Sequence, residues 1–330
     1  MATKPNNNTK CGHGAFSKDS RIQDTVGFVI HSILLVPYYS WQRSHAVHHR
    51  FTNHLELGET HVPEIWTPET NKGSSIARRQ GLIKVFGEEV GLKLWGSSQA
   101  VLHLVFGWPA YLLIGATGGP GRGGTNHFLP DPTSPVSDEF PKSELFPGQW
   151  KSKVLQSDIG IAAVVSGLLT WGFCNGFGQV MAIYGGPYII INAWLVLYTW
   201  LQHTNTDVPH FTDEDHSYVK GALHTIDRPY DELDPWGAID FLHHKIGTTH
   251  VAHHFDCTIP HYHAEKATNA IKENYPELYM HDPTPIFEAL WKCCVGCTAV
   301  EKLGDKYIWQ NRDLSESALA SVAGAAVGQK

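Results

Sequence analysis

The sequence has no run of lysine or arginine residues, and its 330 residues carry a formal net charge of -7. A nucleic-acid partner would call for a basic surface against its phosphates, so this composition argues against one. The six cysteines follow no regular disulfide spacing. The CxxC pair Cys294 and Cys297 has no second ligand pair at zinc-site spacing, so we expect free thiols near a membrane surface.

Long apolar runs are few, and only two approach the roughly 20 residues that cross a bilayer. They occupy residues 159–177 and 180–200, contain no Asp, Glu, Lys or Arg, and are joined by a glycine-bearing turn at 175–179. These features predict a transmembrane hairpin. A mean hydropathy of -0.21 fits the alternative, a pair of buried helices in a soluble protein.

Other segments are interrupted or polar. Residues 21–41 are too short an apolar run to cross a membrane and predict an interfacial helix. The segment 100–117 contains His103 and Pro109, which favours a re-entrant or kinked helix. Residues 56–75 predict a surface loop, and the Gly- and Pro-rich stretch 118–150 predicts a long loop.

The ends of the sequence are polar or low in complexity. Residues 1–10 are Asn-rich and predict a disordered N-terminus, and residues 301–330 end in an Ala-, Ser- and Gly-rich stretch that predicts a solvated tail. We therefore expect one domain over residues 11–300.

Histidine is the residue that stands out, because the spacing HxxHH occurs twice. The two copies are His45, His48 and His49, and His250, His253 and His254. Residues three and four apart share a helix face, so each copy offers at least two imidazoles to one side. A lone histidine is usually structural, but two matching clusters facing each other would form a nitrogen-rich metal site suited to iron, copper, zinc or nickel.

These motifs resemble those of the membrane-bound fatty acid desaturases, in particular the oleate Δ12 branch of fungi and plants. The matching segments run in the family's order from about residue 11 to about residue 300. They are Cys11-Gly12-His13-Gly14, Trp41 to His54, Phe106-Gly107-Trp108-Pro109, Leu201-Gln202-His203-Thr204, Thr225-Ile226-Asp227-Arg228, His250 to His254 and Ile259-Pro260-His261-Tyr262.

The resemblance implies an all-α integral membrane protein whose cytosolic helical cap carries a di-metal site. The ligands it implies are His13, His45, His48, His49, His203, His250, His253 and His254. The family's first box reads HxxxH, but Thr9 stands four residues before His13, so one ligand of the usual set is absent. The family also has a transmembrane hairpin before this box, and we expect the sequence to be truncated relative to that pattern.

Other histidines are assigned lesser roles. His31 is expected to be structural, and the acidic loop after the second span holds three non-ligands, His210, His216 and His224. His243 and His244 lie outside the third box, and His261 and His263 are expected to fix the geometry of its surroundings. If both boxes serve one site, an even number of crossings separates them, so residues 100–117 should not cross fully.

The resemblance also implies the reaction. Two iron ions would reduce O2 with two electrons and leave a cis double bond in an acyl-lipid or acyl-CoA chain. Electrons would come from a separate cytochrome b5 and its NADH-dependent reductase, at the endoplasmic reticulum membrane. The alternatives are an omega-3 desaturase, hydroxylase or acetylenase, or an inactive desaturase-like membrane protein, because the first-box histidine is missing.

Overall fold

A computed structural model describes residues 13, 15–67, 74–136, 143–230, 233–234 and 236–310. The predicted disordered residues 1–10 and the end of the chain from 311 lie outside this range. The described chain is mostly helical, which confirms the predicted all-α class. Its helices are α1 (Ser20–Ile33), α2 (Tyr38–Arg50), α3 (Ser75–Phe86), α4 (Glu88–Val101), α5 (Gly107–Ile114), α6 (Trp150–Asn175), α7 (Phe177–Val180), α8 (Gly186–His203), α9 (Tyr218–Leu223), α10 (Ala238–Leu242), α11 (His250–Phe255), α12 (His261–Asn274) and α13 (Ile286–Gly296).

Within the described residues, three continuous helices are long and apolar enough to cross a membrane. They span Glu88–Ile114, Trp150–Asn175 and Phe177–His203. The last two form the predicted hairpin, with a shorter turn than expected, because Gly176 alone separates them at a φ of 93° that favours glycine.

The first of these helices is longer than the predicted segment at 100–117. A π-helical stretch, Leu102–Phe106, joins α4 to α5 just before Pro109, so the expected irregularity lies at this junction. The helix packs on the last turns of α8, where the rings of His103 and Trp200 stack at 3.9 Å and Gly107 lies against Val196. Its length makes it a candidate span, and the expectation that it does not cross fully stays a prediction.

Helices α1 and α2 lie against the N-terminal half of α6. A Cβ at Gly160 would lie 2.2 Å from the Ser32 hydroxyl, so this glycine permits the close approach of α1 to α6. On α2, Val47 packs with Val154 of α6 and with Phe146 in one buried cluster. The second histidine box is therefore held at the end of the membrane hairpin.

A small sheet was not predicted. Strand β1 (Glu64–Ile65) pairs in parallel with β2 (Ala299–Leu303), and β2 pairs antiparallel with β3 (Lys306–Trp309). The expected solvated tail is therefore wrong for β3, whose Trp309 is buried with Leu55 and Val300.

The predicted surface loop at 56–75 is wrong in its first part. Leu57, Gly58 and Glu59 are buried. The Arg122 side chain packs beside them and donates two hydrogen bonds to the Leu57 carbonyl. In the long loop after α5, the described residues contain one short helical turn, Pro120–Arg122. This turn brings Arg122 to its buried position.

Candidate metal centre

The second histidine box lies on the last two turns of α2. The helix begins after Pro37, which suits a helix start, and ends with His48, His49 and Arg50. Successive positions four apart lie above one another, and Nε2 of His45 and Nε2 of His49 are 3.3 Å apart. His48 projects to the neighbouring side of the helix, where it meets His203.

The third box forms the short helix α11. The Asp227 carboxylate accepts the backbone N–H of Val251 at 2.8 Å and the Tyr279 hydroxyl at 2.7 Å, so it satisfies a free donor in the first turn. Thr249 precedes the helix and anchors it through a hydroxyl bond to the Lys245 carbonyl. His250 is thereby fixed at the start of α11.

The eight predicted ligands meet in two groups. Cluster 1 contains His13, His45, His49 and His253, each with a ring nitrogen within 4.8 Å of one from every other member. Cluster 2 contains His48, His203 and His254, grouped by the same distance. His250 joins cluster 2 because its Nε2 is 3.0 Å from Nε2 of His203.

The spacing of the ring nitrogens fits a shared metal ion in each cluster. Two nitrogens that each lie about 2.1 Å from one ion, at a right angle, are about 3.0 Å apart. The Nε2 atoms of His45 and His13 are 2.9 Å apart, and those of His48 and His203 are 3.1 Å apart. The residues present therefore fit two histidine-bound ions.

His254 gives a second sign of this fit. Its Nδ1 lies 3.2 Å from the Thr52 hydroxyl, while its Nε2 is buried with no hydrogen-bond partner among the described residues. A buried nitrogen without a partner costs free energy, which a bound ion would recover. The Thr52 contact fixes which nitrogen faces cluster 2.

Burial keeps these imidazoles neutral. Desolvation lowers the pKa of His48 to about 3, with His253 adding to the shift, and lowers the pKa of His253 to about 4. It also holds the pKa values of His45 and His49 well below the usual range. A neutral imidazole is the form that binds a metal ion.

The segment after α9 ties the clusters to the rest of the cap. Buried Arg228 donates through Nε to the Leu201 carbonyl and through Nη1 to Asp282 at 2.6 Å. Gln202 donates to the Ile246 carbonyl at 2.9 Å, just before the third box. The end of α8, which carries His203, is thus bound to the chain that leads into α11.

A buried hydrogen-bond network that sequence reasoning missed starts from Ser44 on α2. The Ser44 hydroxyl is 2.8 Å from the Tyr111 hydroxyl and 2.9 Å from Nε2 of His127. Glu59 lies 3.9 Å from the same His127 nitrogen, and burial raises the pKa of Glu59 to about 8. These residues are distant in sequence and follow no motif, so only the fold could reveal them.

The remaining histidines lie outside both clusters. His31 packs on the Trp41 ring, His216 bonds to the Thr52 carbonyl, and His243 contacts the Tyr198 hydroxyl. His244 and His261 contact one another, with ring centroids 4.3 Å apart. His210 and His224 also lie apart from the clusters, as expected for non-ligands, although His210 is buried against Trp309.

One more histidine was missed. His61 lies in the loop after the second box, with its ring centroid 5.4 Å from that of His203 and 6.3 Å from that of His48. It lines a cavity of about 190 Å³ together with Trp200 and Cys297. The sequence around it gave no signal beyond the histidine itself.

Comparison with known proteins gives a consistent result. The family model described as fatty acid desaturase matches residues 10–284. The chain is 36% identical over 309 residues to the Delta(12)-fatty-acid desaturase of Arabidopsis thaliana, covering 92% of this chain and 73% of that protein. It is 34% identical over 302 residues to the Delta(12) fatty acid desaturase of Mortierella alpina, and the match covers 90% of this chain and 70% of that protein. It is 35% identical over 310 residues to a protein of Brassica juncea named omega-6 fatty acid desaturase, endoplasmic reticulum, and the match covers 92% of this chain and 73% of that protein.

Proposed function

The chain belongs to the fatty acid desaturase family, and from this premise we propose that it introduces a cis double bond at the Δ12 position of an oleoyl lipid. Three observations support the proposal: two converging histidine clusters, helices long enough for a membrane, and relatives whose names specify Δ12 or omega-6 desaturation. The histidine clusters carry most weight, because they specify the type of chemistry.

The substrate dictates why a metal is needed. A methylene in the middle of an alkyl chain has no acidic proton and no leaving group, so acid–base groups alone cannot remove its hydrogens. Two iron ions held by clusters 1 and 2 would supply the oxidation, in which O2, two electrons and two protons take two hydrogens from adjacent carbons and give two waters. The protein's part is to hold and orient the ligands and the acyl chain.

Residues around the clusters keep the imidazoles in binding orientation. Thr52 contacts Nδ1 of His254, and Asp227 holds the first turn of α11. Such outer partners fix ring orientation and raise metal affinity. The same residues would keep both irons in place while the acyl chain enters and leaves.

Electrons would come from cytochrome b5 and its NADH-dependent reductase, and the acyl group would be carried by a phospholipid or by CoA. We place the protein in the endoplasmic reticulum membrane, with clusters 1 and 2 on the cytosolic face. The name of the Brassica juncea relative, which specifies the endoplasmic reticulum, supports this compartment.

The test is expression of this chain in a yeast that makes oleate but no linoleate, with gas chromatography of total fatty acids. We expect linoleate in cells with the wild-type chain and none with His250→Ala, because His250 belongs to cluster 2. His263→Ala serves as the control: although the sequence suggested that His263 fixes the geometry around the third box, its side chain is exposed and lies outside both clusters.

A different product would revise the proposal. A double bond at another position, or a hydroxylated chain, would point to a relative with altered regiochemistry. No new product, with the protein present in membranes at wild-type levels, would favour an inactive desaturase-like protein, for which Thr9 in the first-box position is the supporting observation.

A further inference from the structure

His61 lies beside cluster 2 although it belongs to no histidine box. Its ring is nearly parallel to that of His203, with an interplanar angle of 10°, and lies edge-on to that of His48. Among the described residues, its ring nitrogens make no hydrogen bond, and only its backbone N–H is used, toward Thr117. The imidazole is therefore free to bind something else.

The distances allow a shared ion. With metal–nitrogen bonds of about 2.1 Å, two imidazoles on one ion have ring centroids no more than roughly 6.5 Å apart. His61 satisfies this limit toward both His203, at 5.4 Å, and His48, at 6.3 Å. We propose that His61 is an additional ligand of the metal ion in cluster 2. This inference rests on the proposed di-iron function.

The backbone around His61 supports a specific role. His61 has a φ of 58°, in the left-handed region that non-glycine residues rarely adopt. The conformation is held by Thr117, whose hydroxyl accepts the His61 N–H at 3.1 Å and whose carbonyl accepts the Val62 N–H at 2.9 Å. A backbone held in a costly conformation is a common feature of functional sites.

The number of histidines also supports the inference. The family pattern that the sequence resembles has nine histidines, and here Thr9 stands in the first position. With His61, the imidazoles near the two clusters again number nine. His61 lines the cavity, whose wall also contains Thr204, the residue after His203, whereas His48, His203, His250 and His254 do not line it. His61 would therefore reach the ion of cluster 2 from the cavity side.

The test measures iron bound to the purified full-length protein in detergent. The protein is loaded with iron, equilibrated with increasing chelator, and its iron per chain is determined by mass spectrometry. His61→Gly removes the imidazole and suits the left-handed backbone, so folding is preserved. His61→Phe keeps a ring that can stack on His203 but has no nitrogen.

We expect both variants to lose one of two irons at a chelator concentration at least about 10-fold lower than the wild type requires. His210→Phe is the matched control, because His210 is also a loop histidine but lies in neither cluster, and it should retain both irons. Thermal unfolding of the metal-free proteins checks that His61→Gly folds as well as the wild type.

Three results would overturn the inference. If both His61 variants hold two irons as tightly as the wild type, His61 is not a ligand. If His61→Phe holds iron and His61→Gly does not, the ring acts by stacking on His203. If the wild type itself binds no iron, the proposed di-iron function fails together with this inference, whereas the first two results leave that function intact.

Discussion

At the scale of single residues, the two HxxHH copies divide their histidines between both clusters. In each copy the first and third histidines go to one cluster, as His45 and His49 do, and the middle histidine goes to the other. The helical repeat alone predicts that residues four apart share a side. It could not predict the division, because that depends on how α2 and α11 face each other across space.

The division makes single-residue variants informative. We expect His49→Ala to lower iron content from about two ions per chain to about one, by weakening cluster 1, and His254→Ala to do the same through cluster 2. Combining the two should leave little bound iron. Iron per purified chain is the measurement, and His216→Ala, outside both clusters, should bind as the wild type does. Equal iron in all variants would refute the assignment.

His127 should make stability depend on pH. Burial lowers its pKa to about 4, although backbone carbonyl contacts oppose the shift, and neighbouring Glu59 is uncharged below about pH 8. Between about pH 4 and 6.5 the His127 side chain therefore binds a proton in the unfolded chain, where a histidine pKa is near 6.5, but not in the folded chain. The contribution of His127 to folding stability is complete above about pH 6.5 and is lost as pH falls toward 4.

The variant His127→Gln should remove this part of the pH dependence. We expect the gap between wild-type and variant unfolding temperatures to narrow as pH falls from 7 to 4.5, measured by thermal unfolding in detergent. The exposed control His263→Gln should follow the wild-type curve. A gap that stays constant over this range would show that His127 is not held neutral by burial.

At the scale of elements, the two hairpin helices could be predicted, whereas the first long helix was predicted only over residues 100–117. The hairpin helices at 150–203 follow from apolar runs near membrane length. Helix α11 has only six residues, and its first turn is bound by Asp227, which lies 24 positions before Val251 in the sequence. The strands β2 and β3 escaped prediction for a similar reason, since β2 depends on pairing with distant β1.

Asp227 should therefore control the order of the third box. The variant Asp227→Ala leaves the Val251 N–H and the Tyr279 hydroxyl without their acceptor, at a cost of about 1–3 kcal/mol. We expect a lower unfolding temperature and weaker iron retention. Asp256→Ala, at the other end of α11 and exposed, is the control. Unchanged iron retention in Asp227→Ala would mean that α11 is ordered by other contacts.

At the scale of the whole molecule, membrane topology follows from the clusters. His45 and His253 meet in cluster 1, so the second and third boxes lie on the same side of the membrane and an even number of crossings separates them. The α6–α8 hairpin would supply two. We therefore predict that both ends of the helix Glu88–Ile114 lie on the same side of the membrane, although the helix is long enough to cross.

Thiol labelling of sealed microsomes, cytosolic face outward, tests this topology with a membrane-impermeant reagent. In a chain that keeps Cys174 as its single cysteine, this exposed residue at the hairpin turn should react only after permeabilisation. In a background with all six native cysteines replaced by serine, Glu88→Cys at the start of the first long helix and Pro120→Cys shortly after its end should both react without permeabilisation, as should Lys266→Cys in the cap. Reaction of only one of Glu88→Cys and Pro120→Cys before permeabilisation would mean a full crossing. Three crossings would then separate the boxes, which is incompatible with a cluster containing both His45 and His253.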